Sequence, residues 1–138
     1  MPTTFELIAP RGVVIIRHFG HLTVSESQTA LAAYLAHPDC HPGQHHLVDC
    51  SDLVSYERDF ASILQVHADM ADTFSPIAPE TLLVIYAPSR VAHELGTIIR
   101  NSWAGTGSVV ARLVPDETEA LDILGQPERR IADLRAQA

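Results

Sequence analysis

The apolar run Thr81-Leu82-Leu83-Val84-Ile85-Tyr86 constrains the fold more than any other feature of the chain. Such an almost unbroken run, set behind the breakers Pro76 and Pro79, suits a central strand covered on both faces. A second short run, His46-Leu47-Val48-Asp49-Cys50, reads the same way and leads into Ser51-Asp52-Leu53. Strands of this kind need helices packed over them, and the stretches between them carry helical periodicity.

Before the first run, Thr4 to Ile8 and Val13 to Gly20 are strand-like and are joined by Ala9-Pro10-Arg11-Gly12, which suits a tight turn. Thr23-Val24-Ser25-Glu26 has the form of a capping box, so a first helix is expected over about 24–36, burying Ala30, Leu31, Tyr34 and Leu35 and ending before Pro38. Pro42-Gly43 marks a turn. A second helix is expected over about 59–73 from Phe60, Ile63, Leu64, His67, Met70 and Phe74. A third is expected over about 90–104, with Val91, Leu95, Ile98, Ile99 and Trp103 as its stripe and Gly105 as its stop. Ser108 to Val114 is a last strand, Asp116 to Leu124 a capped helix stopped by Gly125, and Pro127 to Arg135 a short terminal helix. The order ββαβαβαβα predicts one α/β domain over 1–138: a mixed, mainly parallel sheet of four or five strands, with an N-terminal hairpin and helices packed on it.

A chain of 138 residues, 46% of them hydrophobic, fits a single core. Its net charge of −8 and pI near 5.3 oppose a phosphate backbone, so no nucleic-acid partner is expected. All nine Lys+Arg residues are arginine, a side chain suited to forked bonds with carboxylate or phosphate. The N-terminus lacks a basic segment followed by an apolar run, and no stretch has the length of a membrane span. The expected compartment is the cytoplasm, where Cys40 and Cys50 would be thiols.

The acidic and hydroxyl side chains that follow His46 to Cys50 mark the candidate surface. In open α/β sheets ligands are met outside the carboxyl ends of the strands. The expected binding surface is Asp49, Ser51, Asp52, Tyr56, Glu57, Arg58 and Asp59, joined by Ser89 and Arg90 from the neighbouring strand end. Asp59 as a helix N-terminal acid and Ser89 as an N-cap have a purely structural explanation as well.

The hairpin, the capped first helix, His46 to Leu53 and the final strand with Asp116 to Leu124 together resemble the SpoIIAA-like, or STAS-like, domains of bacteria, relatives of anti-sigma factor antagonists. The resemblance spans nearly the whole chain in element order. It implies a SpoIIAA-like fold and a non-enzymatic regulatory role exercised on a protein partner or small ligand, with a homodimer left open. In the phosphorylatable members a similar strand-loop-helix passage carries an Asp-Ser-Ser-Gly segment. The corresponding place here is near Glu57-Arg58-Asp59-Phe60, which has no serine, and Ser55 and Ser62 lie out of register. An acidic residue there can imitate a phosphate through its charge.

Other constellations compete with that reading. Cys40, His41, His45, His46 and Cys50 put soft-metal donors close together, but their spacing matches no standard zinc finger, so no structural zinc is expected. His67 on a helix face reads as a core histidine more readily than as a general base. Ser51 has no identifiable histidine partner, and no glycine-rich phosphate loop follows any strand, so neither catalytic residues nor a cofactor are indicated. Two alternatives stay open. One is an apolar-ligand carrier of the SEC14-like type, with a cavity lined by Phe60, Leu64, Met70 and Trp103; the other is an enzyme in which His67, His93 or the His41 to His46 group meets an acid.

Overall fold

The N-terminal hairpin forms as its turn residues dictate. In the computed structural model, which describes residues 3–41, 43–59, 61–65, 68, 81–103 and 109–138, β1 (Thr3–Ile8) runs through a 3-10 turn at Ala9–Arg11 into β2 (Val13–Leu22). Gly12 closes the turn at φ 65, in the left-handed region that glycine enters without a Cβ clash. Thr23 then caps α1 (Val24–Ala36), its hydroxyl oxygen accepting the Glu26 N–H at 3.3 Å. The order continues with β3 (His45–Tyr56), the helical residues 61–65 (α2), β4 (Thr81–Tyr86), α3 (Arg90–Ser102), β5 (Val109–Val114), α4 (Glu117–Ile123) and α5 (Ile131–Arg135).

The five strands lie in sequential order, β1 antiparallel to β2 and the remaining neighbours parallel, which is the mixed sheet the alternating pattern predicts. Its two faces are covered by different helices. One face gathers Val14, Val48, Leu83 and Ile85 with Tyr34 of α1, Ile63 of α2 and Leu95 and Ile99 of α3. The other gathers Ile15, Leu47, Val84 and Val114 with Leu121 of α4 and Leu134 of α5. β4 sits between the two layers, and Leu83, Val84 and Ile85 are all buried, as its apolar run requires. Side-chain hydrogen bonds from Arg11 to Glu128 and from Arg135 Nε to Glu6 Oε1 tie the C-terminal segment back to the hairpin.

Three elements differ from the reading of their residues. In α1, Ala30 and Tyr34 are buried as expected, but Leu35 is exposed. The third strand does not stop at Cys50; it runs to Tyr56, so Ser51 and Asp52 join Asp49 within the strand and do not form a loop beyond it. The apolar stripe of α3 is also rotated. Its buried centre is Ala92, Leu95, Gly96 and Ile99, while Val91 and Ile98 lie at the margin. Gly96 explains the rotation: a Cβ there would meet Leu113 Cδ1 at 2.5 Å and Ile85 Cγ2 at 3.2 Å, so the missing side chain lets the helix backbone sit down on the sheet. Of the residues expected to build the second helix, Phe60, His67, Met70 and Phe74 lie outside the described residues, as does the proposed stop Gly105.

Candidate functional site

β3 and β2 stay paired to their ends only because β3 carries extra residues. Arg17 pairs with Asp49 and Phe19 with Asp52, so one residue of β2 faces two of β3, and a second shift falls between Gly20 and His21. These are β-bulges, which bend a strand and turn its side chains. At the first, the Ser51 N–H donates to Asp49 Oδ1 at 2.9 Å, so the donor displaced from the ladder is satisfied by the side chain two residues earlier. At the second, Gly20 takes φ 64 in mid-strand. The outcome is that Cys50, Leu53 and Tyr56 all enter the core beneath α1 to α3, although their spacing of three breaks simple alternation.

Tyr56, the last residue of β3, anchors the best-defined cluster of the predicted surface. Its ring is buried and its hydroxyl reaches out between two charges: Arg58 Nη1 donates to Tyr56 Oη at 3.1 Å, and Tyr56 Oη donates to Glu94 Oε2 at 3.3 Å. Arg58 Nη2 also donates to Glu94 Oε2 at 3.1 Å, and the guanidinium lies 4.7 Å from the centroid of the Tyr56 ring. Hydrogen bonding and charge from Arg58 hold the Glu94 carboxyl below the usual carboxylate range. Burial pushes the Tyr56 phenol up, with Arg58 opposing the shift. The three side chains therefore hold one another in place at the edge of an open groove of about 640 Å3. Leu64 of α2, 47% exposed, and Ile98 of α3 supply its apolar walls, and Thr97, Asn101 and His93 its polar ones.

Asp49 and Asp52 form a separate group on the opposite face. Arg17 ion-pairs with both, at 3.6 Å to Asp49 Oδ2 and 3.1 Å to Asp52 Oδ2. Their negative charge, with that of Asp116 and Glu117, reaches Tyr86, whose phenol is pushed up by burial first and by these carboxylates after it. The predicted surface is thus split in two by the sheet.

The rest of the predicted surface has local structural work. Asp59 caps the turn into α2, accepting from Ser62 N at 3.2 Å and Ser62 Oγ at 2.7 Å, and these bonds hold its carboxyl below the ordinary range. Ser89 caps α3 by accepting the Ala92 N–H at 3.2 Å, and Arg90 is the first, exposed residue of that helix. Glu57 is exposed, and its N–H donates to Leu22 O at 2.8 Å, extending the ladder past Tyr56. Ser51 is exposed at the bulge. Two partners escaped sequence reasoning. Arg17 had a signal, a lone charge interrupting the apolar run of β2; Glu94 had none beyond its spacing four residues after Arg90.

The histidine group from 41 to 46 is dispersed. His45 Nδ1 accepts the Leu82 N–H at 3.0 Å, His46 is buried edge-on against Tyr34 with ring centroids 5.6 Å apart, and His41 is exposed. Tyr34 Oη donates to Gln44 Oε1 at 2.6 Å, and Gln44 Nε2 donates to Asp39 O at 2.7 Å, which pins the preceding loop. Among the described residues no three His, Cys, Asp or Glu side chains come together in a way that could hold a metal ion. Cys50 is buried, and burial followed by the charge of Asp49 pushes its thiol up, away from thiolate chemistry. A serine-imidazole contact not expected from the sequence joins His21 Nδ1 and Ser55 Oγ at 2.7 Å, on exposed strand ends. Of the residues proposed for a carrier cavity, Trp103 is core, Leu64 lines the open groove, and Phe60 and Met70 lie outside the described residues. Among the described residues no helix is long and apolar enough to cross a membrane. No protein-family model matches the chain, and no curated protein matches it significantly.

Proposed function

We propose that the chain is a STAS-like regulatory domain that binds a protein partner at the Tyr56, Arg58 and Glu94 edge of the groove and does no chemistry of its own. The observation that carries this reading is the preorganised triad beside an open groove with apolar walls. An arginine already oriented by a carboxylate and an aromatic face loses little freedom when a partner carboxylate joins it, and Leu64 and Ile98 offer apolar area next to it. The element order, with its opening hairpin and sequential strands, supports the STAS-like part. Asp59, in the passage where phosphorylatable relatives carry their serine segment, supplies a fixed negative charge in place of a switchable one.

The division of the acidic strand into two faces makes the test specific. The chain is used as bait, bound proteins are identified by cross-linking and mass spectrometry, and the measurement is repeated with Arg58→Glu and, separately, Asp52→Arg. Reversing the charge at Arg58 should remove the partner, because like charges then meet across the interface. Asp52→Arg, on the other face, should leave it bound. Retention of every partner by folded Arg58→Glu would reject the groove as the working surface.

A further inference from the structure

We propose that the space between α1 and the sheet is a binding site for a compact, largely apolar molecule of about the size of benzene or phenol, distinct from the groove. Two adjoining cavities lie there, of about 70 Å3 and about 40 Å3. Both are lined by His18, Ser27 and Ile99, so they meet at those residues, which form the waist of the slot they make up together. Ile16, Leu31 and Leu83 wall the larger part. Leu22, Ile63 and Leu95 wall the smaller, with Tyr56 between this slot and the groove.

The slot originates in the sequence of α1. The positions of this helix that meet the core run through 24, 27, 30, 31 and 34, one face at helical spacing, and 27 and 30 within it are Ser and Ala. Tyr34, one turn on, is large and fully buried, and it packs edge-on against Phe5 with centroids 5.8 Å apart. Small side chains at 27 and 30, set between Val24 and the large Tyr34, leave space beneath them. Protein interiors otherwise fill to the density of organic crystals, so a slot of this size beneath a well-capped helix is a departure from ordinary core packing. Apolar cavities of the order of 150 Å3 stay dry and take up benzene or xenon.

The polar groups at the slot are few: His18 and Ser27 stand at its waist, and Thr23 and the exposed Glu57 border its smaller part. A hydrogen bond joins His18 Nδ1 and Thr3 Oγ1 at 3.0 Å, which fixes the imidazole at the waist. Tyr34 Oη is directed to Gln44 and Thr23 Oγ1 caps α1, so both are engaged outside the slot. The occupant that fits is a small ring or branched hydrocarbon with one hydroxyl or carbonyl group placed near His18 and Ser27, not a charged metabolite.

The test uses the full chain with xenon, benzene and phenol as probes, read by methyl-resolved NMR and by thermal unfolding. The expected result is saturable binding of benzene and phenol that moves the methyl signals of Ile16, Leu31, Leu83 and Ile99, and a rise in melting temperature with probe concentration. Ser27→Leu, which fills the waist, should weaken benzene binding at least tenfold while leaving the chain folded. If that variant does not fold, Ala30→Val narrows the larger part and should weaken binding in the same direction. Absence of saturable shifts for all three probes, shifts confined to other methyls, or undiminished benzene binding by a folded, filled variant would each overturn the site. Partner capture through Arg58 is a separate readout, so loss of either result leaves the other standing.

Discussion

His46 makes the stability of this fold depend on pH in a window set by one buried ring. The imidazole stands in β3 against Tyr34, and burial, followed by the charge of His45, pushes it down to about 4 from its ordinary 6.5. The folded chain therefore holds His46 neutral where the unfolded chain would protonate it. A depressed folded value means the unfolded state binds the extra proton, so the contribution is complete above 6.5 and is lost as pH falls toward 4. For a single site with those two values the ceiling is about 3 kcal/mol, and about 2 kcal/mol of it disappears between pH 7 and pH 5. Urea unfolding at these two pH values, for the native chain and for His46→Phe, isolates the effect. The phenyl ring preserves an aromatic edge for Tyr34 but cannot titrate, and the carboxylates shared by both proteins cancel in the comparison. The native chain should lose about 2 kcal/mol more than the variant on acidification. Equal losses, or an NMR titration of His46 centred near 6.5, would refute the argument, since either means that the ring is not held neutral by its surroundings.

Asp49→Ala should cost about 1–3 kcal/mol in chemical unfolding, because the Ser51 N–H at the bulge loses its acceptor and Arg17 loses a buried counter-charge; a loss below the error of the measurement would deny the carboxylate its role in the bulge. Asp52→Ala, which removes the other partner of the same arginine from a mostly exposed pair, should cost less than about 1 kcal/mol by the same assay. Gly96→Val should destabilise by about 1–3 kcal/mol although valine is the better helix former, because any Cβ at that position meets Leu113 and Ile85; an unchanged melting temperature would mean that α3 can lift from the sheet at no cost.

The same residues show why the sheet could be read from the chain and the site only in part. Turn and cap chemistry is local: Gly12, Thr23, Ser89, Asp116 and Gly125 sit where their own backbones require them, and the elements they bound form within a few residues of their expected places. A parallel-strand bulge is not local. Whether β3 ends at Cys50 or continues depends on whether β2 offers a partner for each later residue, and β2 does so only by placing Gly20 at φ 64 and letting two residues of β3 face one of its own. Read alone, Ser51-Asp52 resembles the polar end of a strand; paired, it is an interior irregularity with Asp49 accepting the displaced donor. That extension moves the true strand end to Tyr56, six residues further on, and there the phenol meets Arg58 from its own segment and Glu94 from a helix that follows the next strand. Arg58 and Tyr56 could be named from the chain because they are neighbours in it. Glu94 could not, because what selects it is the height at which α3 crosses β3, and that height depends on the absent side chain of Gly96 two residues along the same helix. Likewise the slot under α1 follows from small residues at 27 and 30, which by themselves signal only a helix face in contact with something. Its size depends on how far Phe5, Ile16 and Leu83 reach from three different strands. Where the determinant is a capping hydroxyl or a turn glycine, a sequence states it; where it is the distance between two backbones, the sequence holds only the small residues that permit that distance.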